Sequence, residues 1–133
     1  MKPKPEIGVG QPAYFKLNAF ASWVDKAFGE GFGVYLVGSS ALSKQWRDVD
    51  VRLILPDEDY DTLFPTGRSP VQAHPRYALL CAAISALGKE LTGLPIDFQI
   101  DRQADVNAQT KGQIRVALGL WAISSDGTGR REK

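Results

Sequence analysis

Residues 49–55, Val-Asp-Val-Arg-Leu-Ile-Leu, alternate apolar and charged side chains and then close on an apolar pair. A period of two puts Val49, Val51, Leu53 and Leu55 on one side of a β-strand. Asp50, Arg52 and Ile54 fall on the other side, with Asp48 just ahead in the register of Asp50. The first side is a core face. The second carries two carboxylates at the strand mouth, where like charges repel. No other stretch constrains the fold as much, because this one requires a sheet with one covered face and one charged face.

The surrounding elements follow from the same kind of pattern. From Pro12 to Phe28, Phe20, Trp23, Val24, Ala27 and Phe28 recur at helical spacing, which assigns Trp23 to the core. Pro12 suits the first turn of this helix, and Gly29 and Gly31 suit its stop. Residues 33–37 form a short apolar run, expected as a buried strand. Gly38-Ser39-Ser40 makes a turn, and Ala41 to Gln45 leaves room for one or two helical turns. Pro56 ends the 49–55 strand. Asp57 to Phe64 reads as a short helix whose acids, Asp57, Glu58, Asp59 and Asp61, open it rather than bind a metal.

The clearest helix runs from Pro75 to Leu91, with Tyr77, Leu80, Cys81, Ile84, Leu87 and Leu91 as its apolar stripe. His74 is a cap or surface residue, and Gly93 with Pro95 forms the stop. Ile96 to Ile100 is a third strand, with Ile96, Phe98 and Ile100 on one face and Asp97 and Gln99 on the other. Residues 102–123 carry no assignable pattern beyond an apolar stretch at 114–123. The order helix, strand, turn, strand, short helix, long helix, strand predicts an α/β (α+β) fold of two layers, a small mixed three-stranded sheet covered by helices. Residues 1–11 are expected as a flexible arm, 12–123 as a single domain and 124–133 as a flexible tail.

Composition excludes several function classes. The 133 residues support one domain with a real core. Sixteen basic residues against fifteen acidic ones leave no charge excess for a general polyanion binder. No run of apolar residues is long enough for a membrane span, and Met-Lys-Pro-Lys-Pro has no apolar region behind it, so no signal peptide is expected. A single cysteine, Cys81, excludes an intrachain disulfide and a cysteine metal site. It falls in an apolar helical pattern and is assigned to the core, with the reducing cytoplasm as the default location.

The acid pair needs a counter-charge. A hard divalent cation is one solution, since Mg²⁺ prefers carboxylate and phosphate oxygens. An ion pair between Arg52 and Asp50 is the other, and these residues alone do not decide between them. Gly38 lets the backbone turn sharply, so that the amides and hydroxyls of Ser39 and Ser40 can face an anion. A plain strand-to-helix turn with a serine cap needs the same residues. Eight residues separate Ser39 from Asp48, short enough to bring the start of the second strand beside the end of the first. Asp97 joins the pair if its strand lies beside 49–55 and parallel to it.

Val37-Gly38-Ser39, eight residues, then Asp48-Val49-Asp50-Val51 resembles the signature of the DNA polymerase β-like nucleotidyltransferase superfamily. Asp97, flanked by apolar residues, is similar to that superfamily's third carboxylate. The resemblance covers roughly Pro12 to Ile100, close to a minimal catalytic core. The small size and the run Gly93-Leu-Pro-Ile-Asp-Phe-Gln also resemble phage and prophage members.

The resemblance implies transfer of a nucleoside monophosphate from a nucleoside triphosphate to a protein, nucleic acid or small-molecule acceptor, by a two-metal mechanism with Mg²⁺ or Mn²⁺. Asp48 and Asp50 would hold the metals that bridge the triphosphate, and Asp97 would bind the other metal beside the acceptor hydroxyl. Gly38, Ser39 and Ser40 would hold the terminal phosphates. Such chemistry is positioning and charge neutralisation, and needs neither His nor Cys. Larger members add a helical domain for base and acceptor, and the residues after Ile100 are too few to form one. The alternatives are therefore a non-catalytic nucleotide- or metal-binding module and an antitoxin-like interaction protein of the same fold. A homo-oligomer or a partner chain is a further alternative to a self-sufficient monomer. Lys44, Arg47 and Arg52 are phosphate contacts or solvated charges, Lys111 and Arg115 are treated alike, and Trp46 is a loop residue facing the site, with stacking on a base as the lesser of its readings. Gly29-Glu-Gly31-Phe-Gly33 follows a helix and precedes a strand, the reverse of a dinucleotide-binding context.

Overall fold

The computed structural model describes residues 7–28, 33–65, 74–109 and 115–119. Along the chain come α1 (Ala13–Ala27), β1 (Gly33–Val37), a 3-10 turn (Ser39–Ala41), β2 (Val49–Leu55) and α2 (Asp57–Leu63). Then follow α3 (Pro75–Thr92), β3 (Ile96–Arg102), α4 (Gln103–Gln109) and β4 (Val116–Leu118). The described strands form one mixed sheet in the order β3-β2-β1-β4. β2 and β3 are parallel, and β1 runs antiparallel to both β2 and β4. The sheet thus has four strands rather than the expected three. β4 comes from the unassigned apolar stretch, and its three residues are too few to display an alternation.

The period of two in β2 holds. Val49, Val51, Leu53 and Leu55 are each at most 1% exposed. They share one core cluster with Val34, Leu36, Ile96, Phe98, Ile100 and Leu118. α1 contributes Leu17, Phe20, Ala21 and Val24 to this cluster, and α3 contributes Tyr77 and Cys81. The two helices meet at Gly88, where a Cβ would come within 2.9 Å of Phe20 Cζ and 3.1 Å of Ile96 Cγ1. A glycine inside a helix costs about 1 kcal/mol relative to alanine. Here it admits the Phe20 ring.

Two helix faces differ from expectation. Trp23 is 76% exposed, not core. The inward face of α1 is Leu17, Phe20, Ala21 and Val24, at spacings of three, four and seven, and Trp23 stands just outside it. On α3 the inward stripe is Tyr77, Cys81, Gly88 and Thr92, while Leu87 and Leu91 are exposed. Two members of that stripe are not apolar, so hydropathy does not reveal them. Thr92 Oγ1 donates to Gly88 O at 2.6 Å and accepts from Leu94 N at 3.0 Å, which satisfies a buried hydroxyl at the helix end.

α3 also covers the outer edge of β3. Ser85 Oγ accepts from Phe98 N at 2.9 Å, and the Tyr77 hydroxyl donates to Ile100 O at 3.1 Å and accepts from Ile100 N at 3.3 Å. An edge strand's unpaired backbone groups are thereby occupied. His74 is the N-cap of α3, accepting from Arg76 N through Nδ1. Two of the acids of α2, Asp57 and Asp61, have structural partners. Arg102 is bidentate to Asp61 at 3.0 and 3.1 Å and lies 3.4 Å from Asp57, whose carboxylate also accepts from Ala104 N.

Part of the expected arm is docked. Gly8 N donates to Ser40 O at 2.7 Å, Trp46 Nε1 donates to Gly8 O at 2.9 Å, and Val9 is buried. Residues 1–6 of the arm and the expected tail, 124–133, lie outside the described residues. Among the described residues no helix is long and apolar enough to cross a membrane.

Candidate functional site

The strand register builds one rung across three strands. Val37 of β1 faces Asp50 of β2, and Asp50 faces Asp97 of β3. The mouth of β2 is tied to β3 by Val49 N donating to Pro95 O at 2.9 Å. Gly38 follows Val37 directly, with φ 73° and ψ −160°, a region open essentially to glycine alone. A Cβ there would also overlap Asp50 Oδ2. The turn therefore needs glycine twice, once for its dihedrals and once to let backbone approach the carboxylate.

After Gly38 the chain makes a single 3-10 turn, closed by Ala41 N to Gly38 O at 3.1 Å and Leu42 N to Ser39 O at 3.1 Å. The one or two helical turns expected at 41–45 reduce to this. The two serines part company. Ser39 is exposed and lines a cavity of about 560 Å³ together with Gln45, Trp46, Arg47, Asp48 and Asp50. Ser40 is fully buried, and its Oγ has no hydrogen-bond partner among the described residues. Its side chain does not reach that cavity.

A second cavity, of about 230 Å³, also borders Asp50. Val37, Gly38, Arg52, Ile54, Asp101, Val106 and Arg115 line it with Asp50. Ile54 and Val106 are buried here, apart from the main core cluster. Asp50 borders both cavities.

Burial pushes the Asp50 carboxyl above its ordinary range, and Asp97 and Asp48 push it the same way, Asp97 also through a hydrogen bond between the two side chains. Arg52 opposes this but does not cancel it. The guanidinium leans across to β3, where Nη1 donates to Asp97 O at 3.1 Å and Nε stands 4.0 Å from Asp101 Oδ2. A second bond goes from Nη1 to Val51 O at 3.2 Å. The ion-pair solution to the strand mouth is thus realised with Asp101 rather than Asp50. Burial, with Asp105 nearby, raises the Asp101 carboxyl as well. Asp101 continues the register of Asp97 and Gln99. Carrying that alternation one step further, two residues past Gln99, is the sequence signal that finds it.

Among the described residues no group of three or more His, Cys, Asp or Glu is assembled to hold a metal ion. Asp50 and Asp97 oppose each other on one rung, while Asp48 is exposed at the rim. Two apposed carboxylates whose repulsion Arg52 only partly offsets fit Mg²⁺ chemistry, in which one or two carboxylates bind the ion and water or phosphate oxygens complete the shell. They do not make an all-protein cage. Of the basic residues, Arg47 lines the larger cavity, and Arg115 lines the smaller one with its Cζ 5.2 Å from the centre of the Tyr35 ring. Lys44 is exposed, and Lys111 lies outside the described residues. Compared with protein-family models, curated proteins and solved structures, the chain finds no match.

Proposed function

We propose that this chain is a metal-dependent nucleotidyltransferase of the two-layer polymerase β-like fold, moving a nucleoside monophosphate from a nucleoside triphosphate to an acceptor. The observation that carries the reading is Asp50, apposed to Asp97 on one rung and bordering two cavities at once. A group-transfer site needs donor and acceptor to meet at the reacting centre.

The larger cavity suits the donor. Ser39 and Arg47 offer a hydroxyl and a cation to phosphate oxygens, and Trp46, anchored on Gly8, offers an aromatic wall. The smaller cavity suits the acceptor group, with an apolar floor of Ile54 and Val106 and polar walls of Arg52 and Asp101. Asp50 and Asp97, with Asp48 at the rim, would hold Mg²⁺ or Mn²⁺. Bound there, the ion supplies neutralisation of the triphosphate charge and activation of the acceptor oxygen. Because the Asp50 carboxyl titrates above its ordinary range, protons would compete with a cation for it, so cation binding should strengthen as pH rises. One observation favours a second reading, a nucleotide-binding relative without turnover: Asp48 stands exposed, outside any assembled cluster.

Calorimetry with a nucleoside triphosphate, with and without Mg²⁺, tests the site. Metal-dependent binding that disappears in Asp50→Asn supports it, and binding indifferent to metal or no binding at all removes it. Labelled triphosphate incubated with cell lysate then separates the two readings, since only a transferase attaches label to an acceptor.

A further inference from the structure

Helix α3 turns one face to the sheet and leaves another uncovered. Arg76, Leu79, Ala83, Ala86, Leu87 and Glu90 are all exposed, Leu79 at 72%. At 3.6 residues per turn these six fall within about 100° of arc, a continuous stripe. The stripe is symmetric about Ala83. Leu79 and Leu87 stand four residues to either side of it, and Arg76 and Glu90 seven residues to either side.

The two charges sit at the wrong ends of their own helix. Arg76 is in the first turn, where the macrodipole disfavours a cation and where α3 has no acid. Glu90 is near the last turn, where an anion is disfavoured. A second α3 laid antiparallel, with Ala83 on the twofold axis, corrects both. Each Arg76 then faces the partner's Glu90 at the negative end of the partner's helix. Each Leu79 meets the partner's Leu87, and alanine at 83 and 86 lets the helices approach closely. A parallel arrangement would instead set Arg76 against Arg76 and Glu90 against Glu90.

We propose that this face of α3 is a homodimer interface, two copies packed antiparallel about Ala83. α3 covers the sheet face opposite Asp50 and Asp97, so the pairing leaves both cavities open. An interface centred on one helix face lies at the small end of specific interfaces, which makes the dimer concentration-dependent.

Sedimentation velocity over a concentration series tests this. The native chain should move from monomer to dimer as concentration rises, and added salt should weaken the dimer. Arg76→Glu alone and Glu90→Arg alone each create two like-charge contacts, and each should raise the dissociation constant roughly tenfold or more. Arg76→Glu combined with Glu90→Arg restores opposite charges across the axis and should restore the dimer. All these positions are exposed, and circular dichroism confirms that each variant is folded. A chain that stays monomeric at every concentration overturns the proposal. So does a dimer indifferent to the single reversals, or one that the double reversal fails to rescue.

Discussion

Replacing Gly38 by alanine tests the link between backbone geometry and the acid rung. Two effects separate in magnitude. The first is strain: at φ 73° and ψ −160° a non-glycine residue costs about 1–3 kcal/mol. For a domain of this size that is a fall in melting temperature of roughly 3–15 °C. The second is displacement: the new Cβ meets Asp50 Oδ2 directly and lies 3.3 Å from its Cγ, so the carboxylate must swing off the rung it shares with Asp97. Gly93→Ala is the control, because Gly93 has φ 76° and ψ 7° and nothing within 4 Å of its prospective Cβ. It carries left-handed strain of roughly 1–2 kcal/mol and no displacement. Thermal unfolding should therefore show a loss in both variants, larger in Gly38→Ala. Calorimetry well below both transitions should show Mg²⁺-dependent triphosphate affinity intact in Gly93→Ala and reduced at least about tenfold, or 1.4 kcal/mol, in Gly38→Ala. If Gly38→Ala binds triphosphate and Mg²⁺ as tightly as the native chain, the rung does not hold the ligand and the reasoning fails.

Asp50→Asn should change the pH dependence of stability in chelator-treated protein. The folded carboxyl titrates above its ordinary 3.8, so its contribution is fully present below that pH and is lost as pH rises through the folded value. The melting temperature of the variant minus that of native should climb with pH over that window, and a signed difference that falls instead would contradict the burial and repulsion ascribed to Asp50. Tyr77→Phe removes the hydroxyl that both donates to and accepts from Ile100 in a buried setting, and should cost about 1–3 kcal/mol in urea denaturation; a change within error would mean that water replaces it. Trp46→Phe keeps the ring but deletes the bond to Gly8 O, worth about 0.5–1.5 kcal/mol. Faster amide exchange at Gly8, with β2 and β3 unchanged, is the expected result, and uniform protection would show that Val9 alone anchors the segment.

What could be read from the residues and what could not divides along the range of the interaction. Asp50 and Val51 fall on opposite faces because adjacent strand side chains must, a constraint that acts between neighbours and needs no partner. Gly38 is legible for the same reason, since its dihedrals are local. Asp97 is intermediate: its face follows from Ile96 and Phe98, but its place beside Asp50 depends on β3 lying parallel to β2, which no local pattern encodes. Trp23, Leu87 and Leu91 stand outside the core despite their helical spacing because a helix has no intrinsic inside. Its buried stripe is chosen by what packs against it, and on α3 that choice falls on Gly88, the residue without a side chain, because Phe20 and Ile96 need the space. The same choice leaves Leu79 and Leu87 outside, so the exposure of Leu87 and the uncovered face of α3 have one cause. β4 was illegible because three residues are too few for a period, and its pairing with β1 is settled across the chain. Asp101 belongs to both classes. Its face is local, but its weight comes from Arg52, forty-nine positions earlier. That cation turns toward Asp101 and the Asp97 carbonyl and forms no ion pair with Asp50. A residue pair at spacing two therefore leaves an acid that Arg52 relieves only in part, and that is the electrostatic condition a metal-binding reading of Asp50 requires.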